Sequence, residues 1–447
     1  MKINKTIYLI GALLLLAAAV SAQDEIIKKH PVKKHDLAVK EFMVDGIKVI
    51  YKPSTKDIIS ASLFVKGGTS NYSKDQEGIE KLAMTVLAES GSRKYPHDTY
   101  HSMLDSYGTI ITSQTGEDAS HTDMTCLKNK WNESWDIFAD LITHPMFDEN
   151  TFKNKKEEAL NDIKQNESDP DAHLGDMMYG NIFTGTNYNK MINGSETSIN
   201  AMTQNGLKSY YSNLVSKNKL YVVVVGNVTE EDLKIKIGML KGIPLGPSPL
   251  VQTDKRPDFT KSSLYKEDRK LATNYIQGTM DAPAPGTPDF VAMKIATQIL
   301  SERLFVEIRT KRNLSYAPYA YLAGLKNPYA NMYVSTTEPV KSVQVMIDEV
   351  KKIRKDGFNE KELANKKEGY LTGYYMNLET NAALTATLGN NENLSTWKNS
   401  LKVLDDVQKL SVADINRVFK KYSNAIRWVY LGDTSLADEK LFNQSLD

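Results

Sequence analysis

Two histidines one helical turn apart, in His97-Asp98-Thr99-Tyr100-His101, come nearest by type and spacing to a metal site. On a helix the i, i+4 spacing puts both imidazoles on one face, a recognised arrangement for holding zinc. Asp98 then occupies the place where a zinc hydrolase of this pattern carries its general-base Glu. Its side chain is one carbon shorter than Glu and reaches a metal-bound water poorly. Pro96 stands immediately before the segment, which suits the start of a helix, where an early Asp is favoured by the macrodipole. The motif therefore reads as an exposed helix start with at most adventitious metal binding. His30, His35, His121, His144 and His173 form no other ligand-like spacing. Cys126 has no second cysteine to pair with and reads as a small buried hydrophobe.

Bulk properties narrow the function classes. With 56 basic and 55 acidic residues, the chain has no charge excess pointing to nucleic acid or an anionic membrane. Hydrophobic content of 41% and charged content of 25% are those of an ordinary globular protein. Lys2 and Lys5 precede an apolar run from Ile7 to Val20 and a small-residue site at Val20-Ser21-Ala22. That run falls short of the roughly 20 residues that span a bilayer. The pattern predicts an export signal over residues 1–22, removed before Gln23, with no cysteine for a lipid anchor. No later apolar run is long enough to span a membrane, and the style of the signal points to the periplasm. A chain of 447 residues exceeds what one core sustains, so two or more domains are expected.

An internal repeat sets the architecture. Phe147-Asp-Glu-Asn-Thr-Phe-Lys-Asn-Lys-Lys-Glu-Glu-Ala-Leu160 recurs as Phe358-Asn-Glu-Lys-Glu-Leu-Ala-Asn-Lys-Lys-Glu-Gly-Tyr-Leu371, 211 positions on. The same offset maps Tyr211-Ser212-Asn213 onto Tyr422-Ser423-Asn424. Each is followed by a strand-favouring run ending in glycine, at Gly226 and Gly432. Two homologous halves follow, 36–237 and 262–447. The segment 238–261 between them is rich in Pro and Gly and reads as an extended linker.

The hydrophobic periods place strands at Gly46–Tyr51, Ile58–Val65, Gly108–Ser113 and Thr122–Leu127, with a turn at Gly67-Gly68. Helices are expected over Gly78–Glu89, Trp131–Ile142 and Phe152–Gln165. Tyr221–Val225 is an unbroken β-branched run, suited to a strand covered on both faces. Phe290–Arg309 reads as one helix with a Leu300, Leu304, Ile308 stripe. The class is α+β, in two similar α/β lobes.

In this order and at these distances, the landmarks resemble the insulinase-like (pitrilysin and processing-peptidase) zinc metalloprotease family along essentially the whole mature chain. The residues that carry the likeness are Asp45-Gly-Ile-Lys-Val-Ile-Tyr51, Val65-Lys-Gly-Gly-Thr69, the helix after Gly78, Asn193-Gly-Ser-Glu-Thr-Ser-Ile-Asn-Ala-Met202, Tyr210-Tyr-Ser-Asn213 and Val222-Val-Val-Val-Gly-Asn-Val228. The resemblance implies a clam-shell of two lobes. It also implies an inverted His-x-x-Glu-His motif on the first-half helix, with a further Glu ligand about 80 residues on. Aligned through Gly78, this chain has Lys81 and Thr85 at the two His positions, Met84 at the general base and Asp162 at the later ligand. An ammonium, a hydroxyl and a thioether make no zinc site of that type, and Met takes no proton. No His lies between Asp36 and Pro96, so no shift of alignment restores the site.

The second half is expected to retain more. Glu302-Arg-Leu-Phe-Val-Glu-Ile-Arg309-Thr-Lys-Arg-Asn-Leu-Ser-Tyr316 resembles the family segment whose Arg and Tyr reach toward the scissile carbonyl. Arg309 and Tyr316 stand seven apart as the resemblance requires, with Asn313 where the family usually has Gly. An Arg fork and a Tyr hydroxyl are suited to binding backbone carbonyls and stabilising an oxyanion. The resemblance thus implies the non-zinc-binding subunit of a secreted heterodimeric metallopeptidase acting on unfolded peptides. No cofactor is expected in this chain; zinc is expected in a homologous partner subunit. The alternative is a non-catalytic peptide-binding or assembly protein of the same fold.

Overall fold

Asp45 and Gly46 both adopt positive φ, 49° and 83°, as a two-residue hairpin turn twisted to match its strands requires. They join β1 (Lys40–Val44) to β2 (Ile47–Pro53), so the strand expected from Gly46 begins one residue later and has a hairpin partner absent from the sequence expectation. The structure is a computed structural model that describes residues 39–247 and 255–446. The signal expected at 1–22 and the centre of the expected linker, 248–254, lie outside the described residues.

The chain continues through β3 (Ile58–Lys66), α1 (Ile79–Ser90), α2 (His97–Tyr107), β4 (Ile110–Thr115), β5 (Ala119–Leu127), α3 (Trp131–Thr143), α4 (Glu149–Ser168), α5 (Pro170–Ile182), α6 (Glu196–Ala201), α7 (Gln204–Leu214), β6 (Leu220–Gly226) and α8 (Glu230–Gly238). Its strands form one sheet in the order β1-β2-β6-β3-β5-β4, with β2 and β6 parallel. Then come β7 (Ser263–Asp268), β8 (Asn274–Asp281), α9 (Pro288–Leu304), β9 (Tyr319–Ala323), β10 (Tyr329–Thr336), α10 (Pro339–Asp356), α11 (Glu360–Asn377), α12 (Asn381–Leu394), α13 (Asn399–Lys409), α14 (Val412–Tyr422) and β11 (Arg427–Gly432). The second sheet runs β7-β11-β8-β10-β9, with β7 and β11 parallel. Without β1, the two sheets have the same strand order and the same parallel pair. The helix expected over Phe290–Arg309 is α-helical only to Leu304; Phe305–Thr310 is wound as a π-helix.

Local contacts correspond between the halves as well. Asp148 caps α4 by accepting from the Thr151 amide, and Asn359 caps α11 by accepting from Glu362, 211 residues on. Lys156 donates to the carbonyls of Asn200 and Met202 at 2.9 and 2.8 Å, closing the end of α6. Lys367 does the same for Gln408 and Leu410 at the end of α13, at 2.8 and 2.7 Å. The structure corrects the register beyond this point. Phe147 packs edge-on against Tyr211 at 5.3 Å, but Phe358 packs against Phe419 at 5.4 Å. Tyr211 therefore corresponds to Phe419 rather than Tyr422, an offset of 208. The second half is three residues shorter ahead of α13's end, a loss that connecting segments absorb without disturbing either cap.

Lys40–Asp447 clusters as one compact unit, because each sheet is covered on its outer face by a helix from the other half. Val222 and Val224 of β6 join the first core, while Tyr221, on the opposite face, donates its hydroxyl to the Gly389 carbonyl of α12 at 2.9 Å. Conversely, Trp428 and Tyr430 of β11 face the second core, and Val429 and Leu431 pack with Leu174, Met177 and Met178 of α5. His173 of α5 also meets Glu267 of β7 at 2.9 Å. All seven residues of β6 are buried, the two-sided cover its β-branched run implies. Cys126 is buried, which raises its thiol to about 11. Among the described residues, no helix is long and apolar enough to cross a membrane.

Candidate functional site

The apolar positions of α1 turn one face into the core and leave Lys81 and Thr85 partly buried on its flank, while Met84 is only 1% exposed. Lys81 donates to the side-chain oxygen of Asn193 at 2.6 Å. It lines a cavity of about 330 Å³ together with Ile163 and Asn166 of α4, Asp176 and Tyr179 of α5, and Asn193. Asp162 lies exposed on α4 beside these wall residues. Burial raises the pKa of Asp176. A lysine already hydrogen-bonded to an amide, a buried thioether and a hydroxyl do not fit a zinc ion, which needs neutral imidazole or anionic donors. Among the described residues, no three His, Cys, Asp or Glu groups are placed to hold a metal.

The His97/His101 pair opens α2, whose cap is Pro96. The rings lie 4.6 Å apart, but each has its own partner. His97 Nδ1 meets Asp98 at 2.9 Å, and His101 Nε2 meets the Glu89 carbonyl oxygen at 3.0 Å.

The structure brings Arg309 and Tyr316 together. The guanidinium stacks 3.9 Å from the Tyr316 ring centroid. Its Nη1 donates to the Tyr316 carbonyl at 3.0 Å. Asn313 takes φ 51°, a left-handed backbone conformation that Asn tolerates, so the turn expected at this position forms. The π-helical stretch, a local distortion often found at functional sites, carries Arg309 and leaves Phe305 exposed beside it, 5.9 Å from its guanidinium. Tyr316 is 79% exposed. The pair is thus a surface feature, with the cation held over an exposed ring.

Sequence reasoning missed Glu80. It is fully buried beside Lys81 and accepts from Ser120 at 2.5 Å, Tyr210 at 2.6 Å and Asn71 at 3.0 Å. Lys219 donates to Asn71 behind it at 2.9 Å. Burial raises its carboxyl pKa, against the three donors and Lys219, which lower it. A signal existed in the sequence: Glu80, Ala83, Met84 and Leu87 follow the i, i+3, i+4, i+7 spacing of a buried stripe, so a carboxylate on that stripe must find donors.

Comparisons with known proteins agree with this geometry. Residues 48–196 match the family model described as "Insulinase (Peptidase family M16)", and residues 201–370 match "Peptidase M16 inactive domain". The chain is 21% identical over 406 residues to "Uncharacterized zinc protease YmxG" of Bacillus subtilis, covering 88% of this chain and 96% of that protein. It is 25% identical over 375 residues to "Non-peptidase homolog YmxG" of Helicobacter pylori, covering 81% and 85%. Its fold matches the crystal structure of a peptidase M16 inactive domain from Pseudomonas fluorescens with a TM-score of 0.81 at 19% identity, over 89% of this chain and 99% of that one.

Proposed function

Because the chain belongs to the insulinase (M16) peptidase family, we propose that it is a non-zinc-binding subunit that assists a zinc-bearing homologue in degrading unfolded peptides. Arg309 and Tyr316 would bind substrate carbonyls and stabilise negative charge developing on the attacked carbonyl oxygen, and the zinc chemistry would be supplied by the partner subunit. The observation that carries this reading is the contrast between the two sites. Lys81, Met84 and Thr85, where the resemblance places the zinc motif, offer no zinc donors, whereas Arg309 is stacked and hydrogen-bonded onto Tyr316 at the surface. An arginine held this way has lost its rotamer freedom in advance, so a bound carbonyl orders little more. The export signal expected over 1–22 from its basic start and short apolar run would place the complex in the periplasm.

Zinc-dependent peptidase activity of the mature chain, alone and in the complex purified natively with it, tests the reading. Silence alone with chelator-sensitive cleavage in the complex is expected, and chelator-sensitive cleavage by the rigorously pure chain overturns it. Within an active complex, Arg309→Ala and Tyr316→Phe should each lower turnover about tenfold or more, the usual worth of a charge-assisted or oxyanion contact, with assembly unchanged. Unaltered turnover in both variants removes the proposed role. A second reading, a peptide-binding or assembly protein without catalysis, is favoured by the likeness to a relative named a non-peptidase homologue. A native complex that contains no zinc subunit and cleaves nothing decides for it.

A further inference from the structure

The second half contains a larger cavity, of about 760 Å³, between α9, α11, α12 and α13. Its place in the fold matches that of the cavity beside Lys81. In α1, Ile79 and Glu80 are buried, Lys81 partly buried, Leu82 to Met84 buried, Thr85 partly buried, and Val86 and Leu87 buried. In α9 the same pattern runs over Ala292 and Met293, Lys294, Ile295 to Thr297, Gln298, and Ile299 and Leu300. Lys294 therefore corresponds to Lys81. The walls correspond too: Ile163 and Asn166 of α4 match Tyr374 and Asn377 of α11, and Asp176 of α5 matches Thr387 of α12.

The chemistry of the two cavities differs at the lysine. Lys81 is hydrogen-bonded to Asn193, and its cavity has Asp176 on the wall. Lys294 has Thr387 where that acid would be, and its ammonium lies 5.2 Å from the centre of the Tyr370 ring. Burial alone acts on Lys294 and lowers its pKa; no carboxylate raises it. The two acids on the cavity lining do not answer it: Glu302 is paired with Lys366, and among the described residues Asp406 on α13 forms no ion pair or hydrogen bond with Lys294. A partly desolvated cation without a counter-charge is held at a cost that an entering anion relieves. Amide side chains of Gln298, Asn365, Asn377 and Asn391 supply further donors. One unanswered cation matches one negative charge, which favours a monoanion over a phosphate dianion.

We propose that this cavity is a carboxylate-binding site in which Lys294 holds the anion, taken either from the free C-terminus of a peptide or from a small free acid. The site is independent of Arg309, Tyr316 and any zinc partner, so its failure would leave the reading of those residues standing. Calorimetric titration of the full mature chain tests it with three probes: N-acetyl-trialanine, the same peptide as its C-terminal amide, and acetate. The free acid is expected to bind about tenfold or more tightly than the amide, the worth of a charge-assisted hydrogen bond. Lys294→Met, which keeps the apolar stem, should abolish that preference, and Lys294→Arg should keep it. Acetate binding with the same dependence on Lys294 assigns the site to small free acids, and binding of the peptide acid alone assigns it to chain termini. Equal affinity for acid and amide, no binding of any probe, or a preference that survives in Lys294→Met overturns the proposal.

Discussion

Glu80→Ala is expected to lower the stability of this chain by about 3–5 kcal/mol, since each buried donor left without its acceptor costs about 1–3 kcal/mol. The substitution leaves the Ser120 hydroxyl, the Tyr210 hydroxyl and the Asn71 amide without their common acceptor in a site where Glu80 and Ser120 are 0% exposed. It also opens a void beside the core face of α1. Glu80→Gln behaves differently. Its amide oxygen keeps the bonds from Tyr210 and Asn71, and its amide nitrogen donates to Ser120, whose hydroxyl then accepts. The neutral side chain also removes a cost that depends on pH. The folded-state pKa of Glu80 is raised above its ordinary 4.5, so the folded protein holds this proton more tightly than the unfolded chain. Ionisation of Glu80 thus lowers stability progressively as pH rises from 4.5 through the raised folded value, and the loss is complete above it. Urea denaturation of the three proteins from about pH 4.5 upward measures both effects. Glu80→Gln should gain on the wild type as pH increases through this window. Glu80→Ala within about 1 kcal/mol of wild type, the ordinary spread of point substitutions, or a Gln variant with the wild-type pH slope, would show that the carboxylate does not organise this region.

Gly389→Ala should destabilise by about 2–3 kcal/mol, although in an exposed helix the same change stabilises by about 1 kcal/mol. A Cβ at this position in α12 would lie 2.2 Å from the Phe64 ring. Phe64 is stacked on Tyr221 with centroids 4.9 Å apart, and the Tyr221 hydroxyl donates to the Gly389 carbonyl. The added methyl must therefore push Phe64 off Tyr221 or lift α12 from the first sheet. Lifting α12 also strains the bonds from Asn381 to the Ile58 carbonyl at 2.5 Å and from Thr385 to Ser60 at 3.4 Å. Gly180 of α5 provides the control, since a Cβ there meets nothing within 4 Å. Gly180→Ala should be neutral or stabilising. Thermal unfolding of both variants, with amide exchange of β3 and β6 as the local readout, tests the pair. Equal effects at the two positions would show that α12 does not clamp the first sheet.

Much of this protein is legible in its amino-acid sequence. The repeat beginning at Phe147 and Phe358, the β-branched run at Tyr221–Val225 and the helix after Gly78 are short-range patterns, and local physics determines them: caps, hydrophobic period and strand propensity. The expectation that Lys81 and Thr85 stand at the two His positions of the zinc motif, and Met84 at its general base, needs only residue chemistry. The seven-residue spacing of Arg309 and Tyr316 is readable too, because a short turn at Asn313 brings such neighbours together.

The rest depends on which distant surfaces meet. The Tyr211 match looks sound at a fixed offset, yet the aromatic pair belongs to Phe419, since packing aligns helix faces and a three-residue loss in connecting segments leaves no mark on either face. The exchange of α5 and α12 between the sheets is invisible in the residue pattern because an amphipathic helix records that it covers an apolar surface, but not whose. Glu80 escapes notice for the same reason. Its three donors come from β5, α7 and the segment after β3, which meet only in the folded chain. The unpaired Lys294 is likewise a property of the tertiary structure alone: a lysine in sequence is a cation in water, and only the walls of the cavity remove the water without pairing a carboxylate with its ammonium.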